Sequence, residues 1–484
     1  MNKTLASINR IAWTAVLAFA VAGAPAAAAV RYDGLRNVDA FAGSGKYGES
    51  DGAAGAASFR SPRGIKLLAD GSVLIADTDS HLIRRAKGGQ TGTLAGITFR
   101  FDAAGKPVGG LADGTADASV FQSPSDVDVD AAGNVYVADT GNHAIRKIDP
   151  EGRVTTLAGS PIGAAGWKDG RGGEARFYAP SALAVAPDGT VYVADTLNHA
   201  IRKVTPDGNV TTLNAFRLRG VEVFPGVVEP AGDYRDGKLS EALFNEPSGI
   251  ALDDRGNLYV SDTGNQRIRY IDLVAGTVTT VAGGGDLGAN DFYVAGDYAD
   301  GDAREARFDS PKGLAYTPQG LLIADSGNHA VRLLRDGMVY TVAGSALAET
   351  GRANGPEKTA RFMFPTDVDA DGTGTIYVAD AYNNQIRVIT DYRWPEGAAA
   401  DGDIRVAVGE RLVTFDVQPA LRNARVLVSV RPIAEALGYT VRPEGAGTVV
   451  LERGSVRIAL RIGETRVTVA GPSGISELQL DAAP

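Results

Sequence analysis

The stretch VYVADTGNHAIRKI, Val135–Ile148, gathers an aspartate, an asparagine, a histidine and an arginine in one short segment. Standing alone, such a cluster would suit a catalytic site. Nearly the same letters return at Val191–Val204 (VYVADTLNHAIRKV), Leu258–Ile271 (LYVSDTGNQRIRYI) and Leu321–Leu334 (LLIADSGNHAVRLL). Repetition at such intervals is typical of a repeated structural unit, so we interpret the motif as a structural element of that unit.

Six copies of the unit can be aligned on this motif, and three features keep fixed spacings in all of them. Each copy has an aspartate with an arginine seven residues later, and a Phe upstream is followed by Pro three residues on. An Asp-Gly or Asn-Gly pair lies eight residues before each Phe. The repeat aspartates and arginines are Asp77, Asp139, Asp195, Asp262, Asp325 and Asp380, and Arg84, Arg146, Arg202, Arg269, Arg332 and Arg387.

Each unit is predicted to form four short β-strands, because its β-branched segments are bounded by Gly, Asp, Asn and Pro. Four-stranded units repeated around an axis indicate an all-β fold, a six-bladed β-propeller. The sixth unit stops at Thr390 without a fourth strand, whereas VDAFAG, Val38–Gly43, precedes the first unit and matches the missing one. We therefore expect the N-terminal strand to complete the last blade and to remove an open sheet edge.

These motifs resemble the NHL repeat, which is named for an Asn-His-Leu stretch like Asn142-His143. The resemblance extends over about Val38–Ile389 and implies the same propeller. Propellers of this family include surface and scaffold proteins that bind proteins or nucleic acid, and related six-bladed propellers include lyases and hydrolases. Fold alone does not choose among these functions.

The N-terminus has the pattern of a secretory signal peptide over residues 1–29. Lys3 and Arg10 precede an apolar run from Ile11, and small residues lead up to an expected cleavage after Ala29. A membrane anchor would need a longer uninterrupted apolar run. The chain has no cysteine, which is common in exported bacterial proteins, and its net charge of −10 argues against nucleic acid as a partner. We expect a secreted or surface-associated protein that has no membrane span after cleavage.

A second domain is expected after the propeller, with boundaries at residues 30–395 for the propeller, 396–403 for a linker and 404–484 for an α+β tail. Phe415-Asp416, the Asn423-x-Arg425 segment and Glu435–Gly438 resemble the copper amine oxidase N-terminal-like domain of bacterial surface proteins. The family implies a non-catalytic accessory module. Copper is not expected, because no His or Cys follows His329. The last residues, LDAAP, look like the start of a second copy, so completeness of the tail stays open.

The four histidines of the chain all lie four residues after a repeat aspartate, at His81, His143, His199 and His329. Gln266 and Asn384 hold that place in the other two units. Histidine is a common metal ligand, but equivalent turns are spread around a ring. We favour a structural role in which the side chain caps amides of its own turn.

The Asp and Arg pairs allow two interpretations. Paired charges can do acid and base work, but arginine keeps its proton at ordinary pH. Six equal copies favour a brace between blades, so we predict that these twelve residues serve stability.

Differences between the repeats point to the loops that connect successive blades, from the short Ser44–Ser50 to the long Ala215–Arg235. These loops belong to one face of a propeller, and loops on one face of a repeat frame commonly bind partners. Their aromatic residues would suit binding of a protein or a cell-wall glycan. The alternative is that the same rings serve only to pack the loops against the propeller. The candidate binding residues are Trp167, Phe216, Phe224, Tyr234, Phe292, Tyr293 and Tyr298.

Asp126 and Asp367 begin innermost strands and could face the central channel. They could hold Ca²⁺ or a metal that activates water, although ordinary solvated acids are the favoured interpretation and no cofactor is expected. The sequence thus predicts an exported, non-catalytic binding or scaffold protein that binds a protein or glycan at the cell surface. The alternative is a metal-dependent lyase or hydrolase that acts at the channel mouth.

Overall fold

A computed structural model describes residues 35–345, 347–392, 406–408, 411–416, 420–422, 425–445, 447–461, 464, 466–471 and 474–479. The expected signal peptide and the expected linker lie outside the described residues. Internal contacts divide the chain into two compact units, of which one is Ala29–Asp391 and the other contains Tyr392–Pro484.

The larger unit contains, among the described residues, six antiparallel sheets of five strands each. The first, innermost strand of every sheet begins at the proline of the Phe-x-x-Pro motif, which has no N–H to leave unpaired. Each first strand contacts the first strand of the next sheet, and that of sheet 6 contacts that of sheet 1, so the sheets close into a ring. The first strands of sheets 1 to 6 are Pro62–Leu67, Pro124–Val129, Pro180–Val185, Pro247–Leu252, Pro311–Thr317 and Pro365–Ala370.

The second strands carry the nearly continuous apolar segment and are almost fully buried, because they are covered on both sides by neighbouring sheets. They are Val73–Asp77, Val135–Asp139, Val191–Asp195, Leu258–Asp262, Gly320–Asp325 and Ile376–Asp380. The third strands pair with them and carry the repeat arginines. They are Leu82–Lys87, Ala144–Ile148, Ala200–Val204, Arg267–Asp272, Ala330–Arg335 and Gln385–Asp391.

The fourth strands of sheets 1 to 5 are Gln90–Ala95, Arg153–Gly159, Asn209–Thr212, Thr277–Gly283 and Met338–Gly344. A fifth, two-residue strand that the sequence did not predict pairs with the outside of each fourth strand. This edge strand begins at the glycine of the Asp-Gly or Asn-Gly pair. The loop between two sheets therefore runs first along the outer edge of the propeller and then crosses to the central channel. These edge strands are Gly52–Ala53, Gly114–Thr115, Gly170–Arg171, Gly237–Lys238, Gly301–Asp302 and Gly355–Pro356.

The N-terminal strand Arg36–Ala42 is the fourth strand of sheet 6, as predicted. It pairs antiparallel with Gln385–Asp391, with Val38 opposite Ile389, and its other side pairs with the edge strand Gly355–Pro356. This pairing joins the two ends of the repeat and confirms the expected closure. The six-fold β-propeller expected from the sequence is therefore the fold of this unit.

The hydrophobic core lies between adjacent sheets. Tyr136 and Ala138 of sheet 2, for example, pack in one buried cluster with Phe177 and Leu183 of sheet 3. Burial of such apolar surface contributes roughly 25 cal/mol per Å². Because the apolar clusters lie between sheets, each sheet is stabilised by its two neighbours in the ring.

The tail unit contains the hairpins Ala407–Val408 with Arg411–Leu412 and Ala420–Arg422 with Arg425–Leu427, followed by a short helix, Val430–Ala436. Gly438, two residues after the end of the helix, has a φ of 80°, the left-handed geometry that commonly follows a helix C-terminus. A five-stranded meander follows. Its strands are Thr440–Pro443, Thr448–Arg453, Val456–Arg461, Arg466–Gly471 and Gly474–Gln479.

Candidate functional site: the loop face and the channel mouth

One face of the propeller, called the loop face below, carries the connections between sheets together with the tight turns between second and third strands. Because first strands begin here and second strands end here, the Phe-x-x-Pro motifs and these turns lie side by side. Five of the turns are single 3₁₀-helical turns, at Thr78–Ser80, Thr140–Asn142, Thr196–Asn198, Thr263–Asn265 and Ala381–Asn383.

The repeat histidines join neighbouring sheets on this face. His199 has left-handed geometry, with φ of 53°, and its Nδ1 accepts the backbone N–H of Glu246 in the next sheet at 3.0 Å. Our expectation that these side chains cap their own turns was wrong, since the amide they bind belongs to the following Phe-x-x-Pro motif. The equivalent bonds are Ser123 N–H to His81, Ala179 N–H to His143, Ser310 N–H to Gln266, Phe364 N–H to His329 and Ser61 N–H to Asn384.

Gln266 and Asn384 can take the place of histidine in two of the six units, because each places a side-chain oxygen where histidine places Nδ1. Histidine can accept at Nδ1 only when that nitrogen carries no proton. Burial lowers the pKa of His199 to about 4 and also lowers the pKa values of His81, His143 and His329. The four imidazoles are therefore neutral structural acceptors at neutral pH.

The Asp–Arg pairs lie within one sheet, and not between blades as we expected. Arg146 on the third strand of sheet 2 binds Asp139 at the end of the second strand (2.7 Å) and Asp113 beside the edge strand (2.8 Å). The arginine and Asp139 are fully buried, and Phe121 covers the guanidinium at 5.0 Å. The arrangement clamps the crossing loop onto its own sheet. It recurs at Arg84, Arg202, Arg269, Arg332 and Arg387.

Three of the candidate binding aromatics take part in this clamp. The ring of Trp167 lies 5.4 Å from the Arg202 guanidinium, Tyr234 lies 4.7 Å from Arg269, and Tyr298 lies 4.6 Å from Arg332. Each aromatic comes two residues before the aspartate of the Asp-Gly word, which is the sequence signal for this role. These three rings cover the buried arginines, so we interpret them as structural residues of the propeller.

The other candidate aromatics differ in how far they reach solvent. Phe216 packs against Trp167 with 4.1 Å between the ring centroids and is about half exposed, and Phe224 is 71% exposed. Tyr293 is half exposed and donates its hydroxyl to Glu246 at 2.8 Å. Phe292 is half-buried beside Tyr293. Phe216, Phe224 and Tyr293 are thus the candidates whose rings remain accessible.

The longest loop folds into a β-hairpin that sequence analysis missed, with strands Arg219–Phe224 and Val227–Ala231. Val221 is buried and anchors one side of the hairpin, whereas Val228 is 62% exposed. Arg219 binds the carbonyl oxygens of Gly232, Gly288, Ala289 and Asp291, which fixes the hairpin to the next connecting loop. The hairpin is therefore a braced projection with an apolar tip.

A cavity of about 230 Å³ runs between the first strands along the propeller axis. Ser125, Ser181, Ser248 and Thr366 line it at the loop face, each directly after the motif proline, and Arg63 holds the same position in sheet 1. The serine and threonine hydroxyls are already engaged. Ser125, for instance, donates to the Ser181 carbonyl in the next sheet at 2.8 Å.

Asp126 and Asp367 use both carboxylate oxygens to bind backbone amides. Asp126 accepts the N–H of Val127 at 2.8 Å and that of Leu183 in sheet 3 at 2.8 Å, and Asp367 accepts Val368 and Ile65 in the same way. A Cβ on the neighbouring Gly64 would lie 2.5 Å from Asp126 Cα, so the preceding sheet needs glycine there. The two aspartates are inter-sheet connectors that line the channel.

Two further aspartates, Asp128 and Asp369, continue this pattern one step deeper in the channel and flank Lys66, whose Nζ lies 3.0 Å from Asp128 and 3.9 Å from Asp369. Burial raises the pKa of Asp126 to about 8, while the amides of Leu183 and Val127 oppose the shift. Burial, and then the Asp126 charge, raise the pKa of Asp367.

No group of three His, Cys, Asp or Glu side chains close enough to share a metal ion occurs in the part of the chain that the structure describes. The same described residues contain no helix that is long and apolar enough to cross a membrane.

Family models agree with both parts of the architecture. The NHL repeat model matches residues 121–148, 244–269 and 362–389, and a teneurin NHL domain model matches residues 162–222. The copper amine oxidase N-terminal domain model matches residues 407–484.

Curated relatives share the repeat region. The protein SUPPRESSOR OF QUENCHING 1, chloroplastic, of Arabidopsis thaliana is 28% identical over 338 residues, which are 68% of this chain and 30% of the relative. NHL repeat-containing protein 2 of Gallus gallus is 30% identical over 295 residues, which are 55% of this chain and 38% of the relative. The chain spans about a third of the length of these two relatives.

Two solved structures from Bacteroides share this fold. A structural genomics protein of unknown function from Bacteroides thetaiotaomicron aligns with a TM-score of 0.52 at 20% identity, covering 73% of this chain and 76% of that one. An auxiliary nutrient binding protein from Bacteroides ovatus aligns with a TM-score of 0.51 at 15% identity, covering 75% and 78%. At these identities the likeness concerns the fold.

The ring of sheets, the repeated Asp, His and Arg contacts and the family matches together define an NHL-repeat β-propeller. The chain thus combines a propeller that contains NHL repeats with a C-terminal segment, residues 407–484, that matches the copper amine oxidase N-terminal domain model.

Proposed function

We propose that this protein is an exported, non-catalytic binding protein that holds a protein or glycan partner on the loop face of its propeller at the cell surface. The observation that carries the proposal is the braced hairpin Arg219–Phe224 and Val227–Ala231. Its tip exposes Phe224, Val227 and Val228 although Arg219 fixes its base. Exposed apolar side chains on a rigid projection are typical of an interaction surface.

The chemistry of the repeated residues also favours binding over catalysis. The four histidines accept backbone amides, the buried arginines are paired with aspartates, and the channel aspartates accept two amides each. A general acid or base needs a free proton-transfer position near a substrate. The groups that would serve a lyase or hydrolase are engaged in holding sheets together. The name of the Bacteroides neighbour, an auxiliary nutrient binding protein, fits a binding role.

Glycan and peptide arrays test this proposal. Wild-type protein, a Phe224→Ser/Val228→Ser variant and a Val274→Ser control would be compared on the same arrays. Val274 is 93% exposed in the turn between the third and fourth strands of sheet 4, on the face opposite the loop face. We expect retention of a defined ligand by wild type and control and its loss in the hairpin variant. Equal retention by all three, or none by wild type, would contradict the proposal.

A further inference from the structure

A groove of about 710 Å³ lies between sheets 4 and 5 on the face opposite the loop face. First strands begin and second strands end at the loop face, so the turn at residues 317–320 between the first two strands of sheet 5 lies on the opposite face. The groove volume falls within the roughly 300–1,000 Å³ that is typical of small-molecule sites. Its walls include Tyr259 and Thr280 on the side of sheet 4, and Arg304, Tyr316, Gln319 and Arg335 on the side of sheet 5.

The turn that borders the groove is shorter in sheet 5 than in the other sheets. The repeat aspartate follows the motif proline after 14 residues in sheet 5, from Pro311 to Asp325, and after 15 in every other sheet, as from Pro247 to Asp262. A two-residue connection that contains Gln319 replaces the five-residue turns of the other sheets. A shorter turn covers less of the junction between two sheets.

Two tyrosine rings from neighbouring sheets line the groove. The ring centroids of Tyr259 and Tyr316 are 5.9 Å apart with an angle of 14° between the ring planes, and both side chains are half-buried. The place of Tyr316, five residues after the motif proline, is aromatic in this sheet alone. Flat aromatic faces with a few polar groups suit a sugar ring. The residues at this place in the other sheets are Leu67, Val129, Val185, Leu252 and Ala370.

Polar side chains accompany the two rings in the same groove. Gln319 Oε1 is buried and has no hydrogen-bond partner in the part of the chain that the structure describes, although buried acceptors usually have one. The amide also carries donors, so a ligand hydroxyl can bind to it in either sense. Arg304 is exposed and Arg335 is half-buried, and each guanidinium adds further donors. The groove therefore combines an aromatic wall with hydrogen-bonding groups that a ligand can use.

We propose that the groove between sheets 4 and 5 binds a short oligosaccharide, with Tyr259 and Tyr316 as its aromatic surface. Gln319, Arg304 and Arg335 supply hydrogen bonds to the hydroxyl groups of the sugar. This site goes beyond the proposed loop-face function, because it lies on the opposite face of the propeller and shares no residue with the hairpin at 219–231.

The strands that border the groove are already paired, which disfavours a peptide as the occupant. A peptide adds to a sheet through free backbone amides. On the fourth strand of sheet 4, the N–H of Thr280 is bound by Asp236 at 2.9 Å, and the first two residues of that strand pair with the edge strand Gly237–Lys238. Leu321 lies in a strand that is paired on both sides. These contacts favour a ligand that binds through side chains.

Calorimetric titration tests the proposal with cellotriose, maltotriose and a galacturonate trisaccharide, and with trialanine as the peptide comparison. The proteins would be wild type, Tyr316→Leu, Gln319→Ala and the control Tyr377→Leu. Sheets 1 and 4 carry leucine at the place of Tyr316, and sheets 1 and 5 carry leucine at the place of Tyr377, so both changes suit the fold. We expect at least one trisaccharide to bind wild type and control equally, with affinity at least about fivefold lower in Tyr316→Leu and in Gln319→Ala.

Other outcomes contradict a stated part of the proposal. Full affinity of either groove variant, or no binding of any of the three trisaccharides to wild type, overturns the site, and equal binding of trialanine overturns the ligand class. The hairpin variant Phe224→Ser/Val228→Ser should keep the wild-type affinity for the trisaccharide. Its loss in that variant would place the sugar on the loop face, so the groove proposal would fail while the loop-face function stands. Gln319→Ala changes a turn outside the core and decides the case if Tyr316→Leu is unstable.

Discussion

His199 Nδ1 accepts the backbone N–H of Glu246 at 3.0 Å, and this bond joins the third sheet of the propeller to the fourth. A histidine of the motif that, standing alone, would suit a catalytic site is thus an acceptor for an amide 47 residues away. Its left-handed backbone is uncommon for residues other than glycine, and Asn, Asp and His adopt it more readily than most. The three residue types that the chain uses at this place, histidine, glutamine and asparagine, all carry a side-chain acceptor.

Replacing the acceptor should weaken one junction of the ring. We expect His199→Leu to lower the free energy of unfolding by about 1–3 kcal/mol, because the Glu246 N–H loses its partner. His199→Gln should cost less, since Gln266 supplies an oxygen to the equivalent amide at 2.6 Å. Urea denaturation followed by fluorescence measures both, and an equal loss in the two variants would contradict the acceptor role.

The same bond predicts a pH dependence with a definite sign. Burial lowers the pKa of His199 to about 4 from its usual 6.5, so between these values the unfolded chain binds more protons than the folded one. The contribution of His199 to stability is fully present above pH 6.5 and is lost as the pH falls towards 4.

His199→Gln isolates this contribution from other titrations. The buried repeat aspartates act in the opposite direction, because burial raises the pKa of Asp139 to about 6, but they are common to both proteins. Denaturation midpoints at pH 7.5 and pH 4.5 should therefore fall more in wild type than in His199→Gln. A parallel fall in both proteins would show that His199 binds protons equally in its folded and unfolded states.

Asp139 tests the clamp within one sheet. Asp139→Ala leaves Arg146 buried without its nearer carboxylate, which is 2.7 Å away in the native protein. Removing one partner of a buried ion pair typically costs about 3–5 kcal/mol. The exposed Glu151→Ala in a turn of the same sheet serves as the control. Thermal unfolding should separate the two variants clearly, and indistinguishable melting temperatures would argue against the clamp.

Val38 tests the closure of the ring. Its side chain is fully buried opposite Ile389, so Val38→Asp would place an unpaired charge between strands. We expect a loss of at least about 3 kcal/mol together with faster amide exchange along Gln385–Asp391. Asp39→Ala, an exposed change on the same strand, should leave exchange unaltered. Slow exchange in both variants would mean that sheet 6 does not depend on its N-terminal strand.

The repeat spacing was sufficient to predict the ring and its closure, because strand period, turn residues and the missing fourth strand are all local signals. The partner of His199 could not be predicted, since the loops between repeats vary in length and the bound amide lies in the next unit. Trp167, Tyr234 and Tyr298 each lie two residues before the aspartate of an Asp-Gly pair. This fixed spacing could have indicated their structural role, which their aromatic character alone does not.

The loop conformations were the least predictable part. The hairpin Arg219–Phe224 with Val227–Ala231 depends on Arg219 reaching carbonyl groups of another loop, and no periodic pattern encodes such a contact.

Hydrogen exchange in the presence of an array-selected ligand tests most directly whether the loop face is the binding surface. The account predicts slower exchange in residues 215–235 and in the connecting loop at 284–298. It predicts no change in turns on the opposite face, such as those at 69–71 and 273–276. Protection confined to the opposite turns or to residues 430–479 of the tail would contradict it.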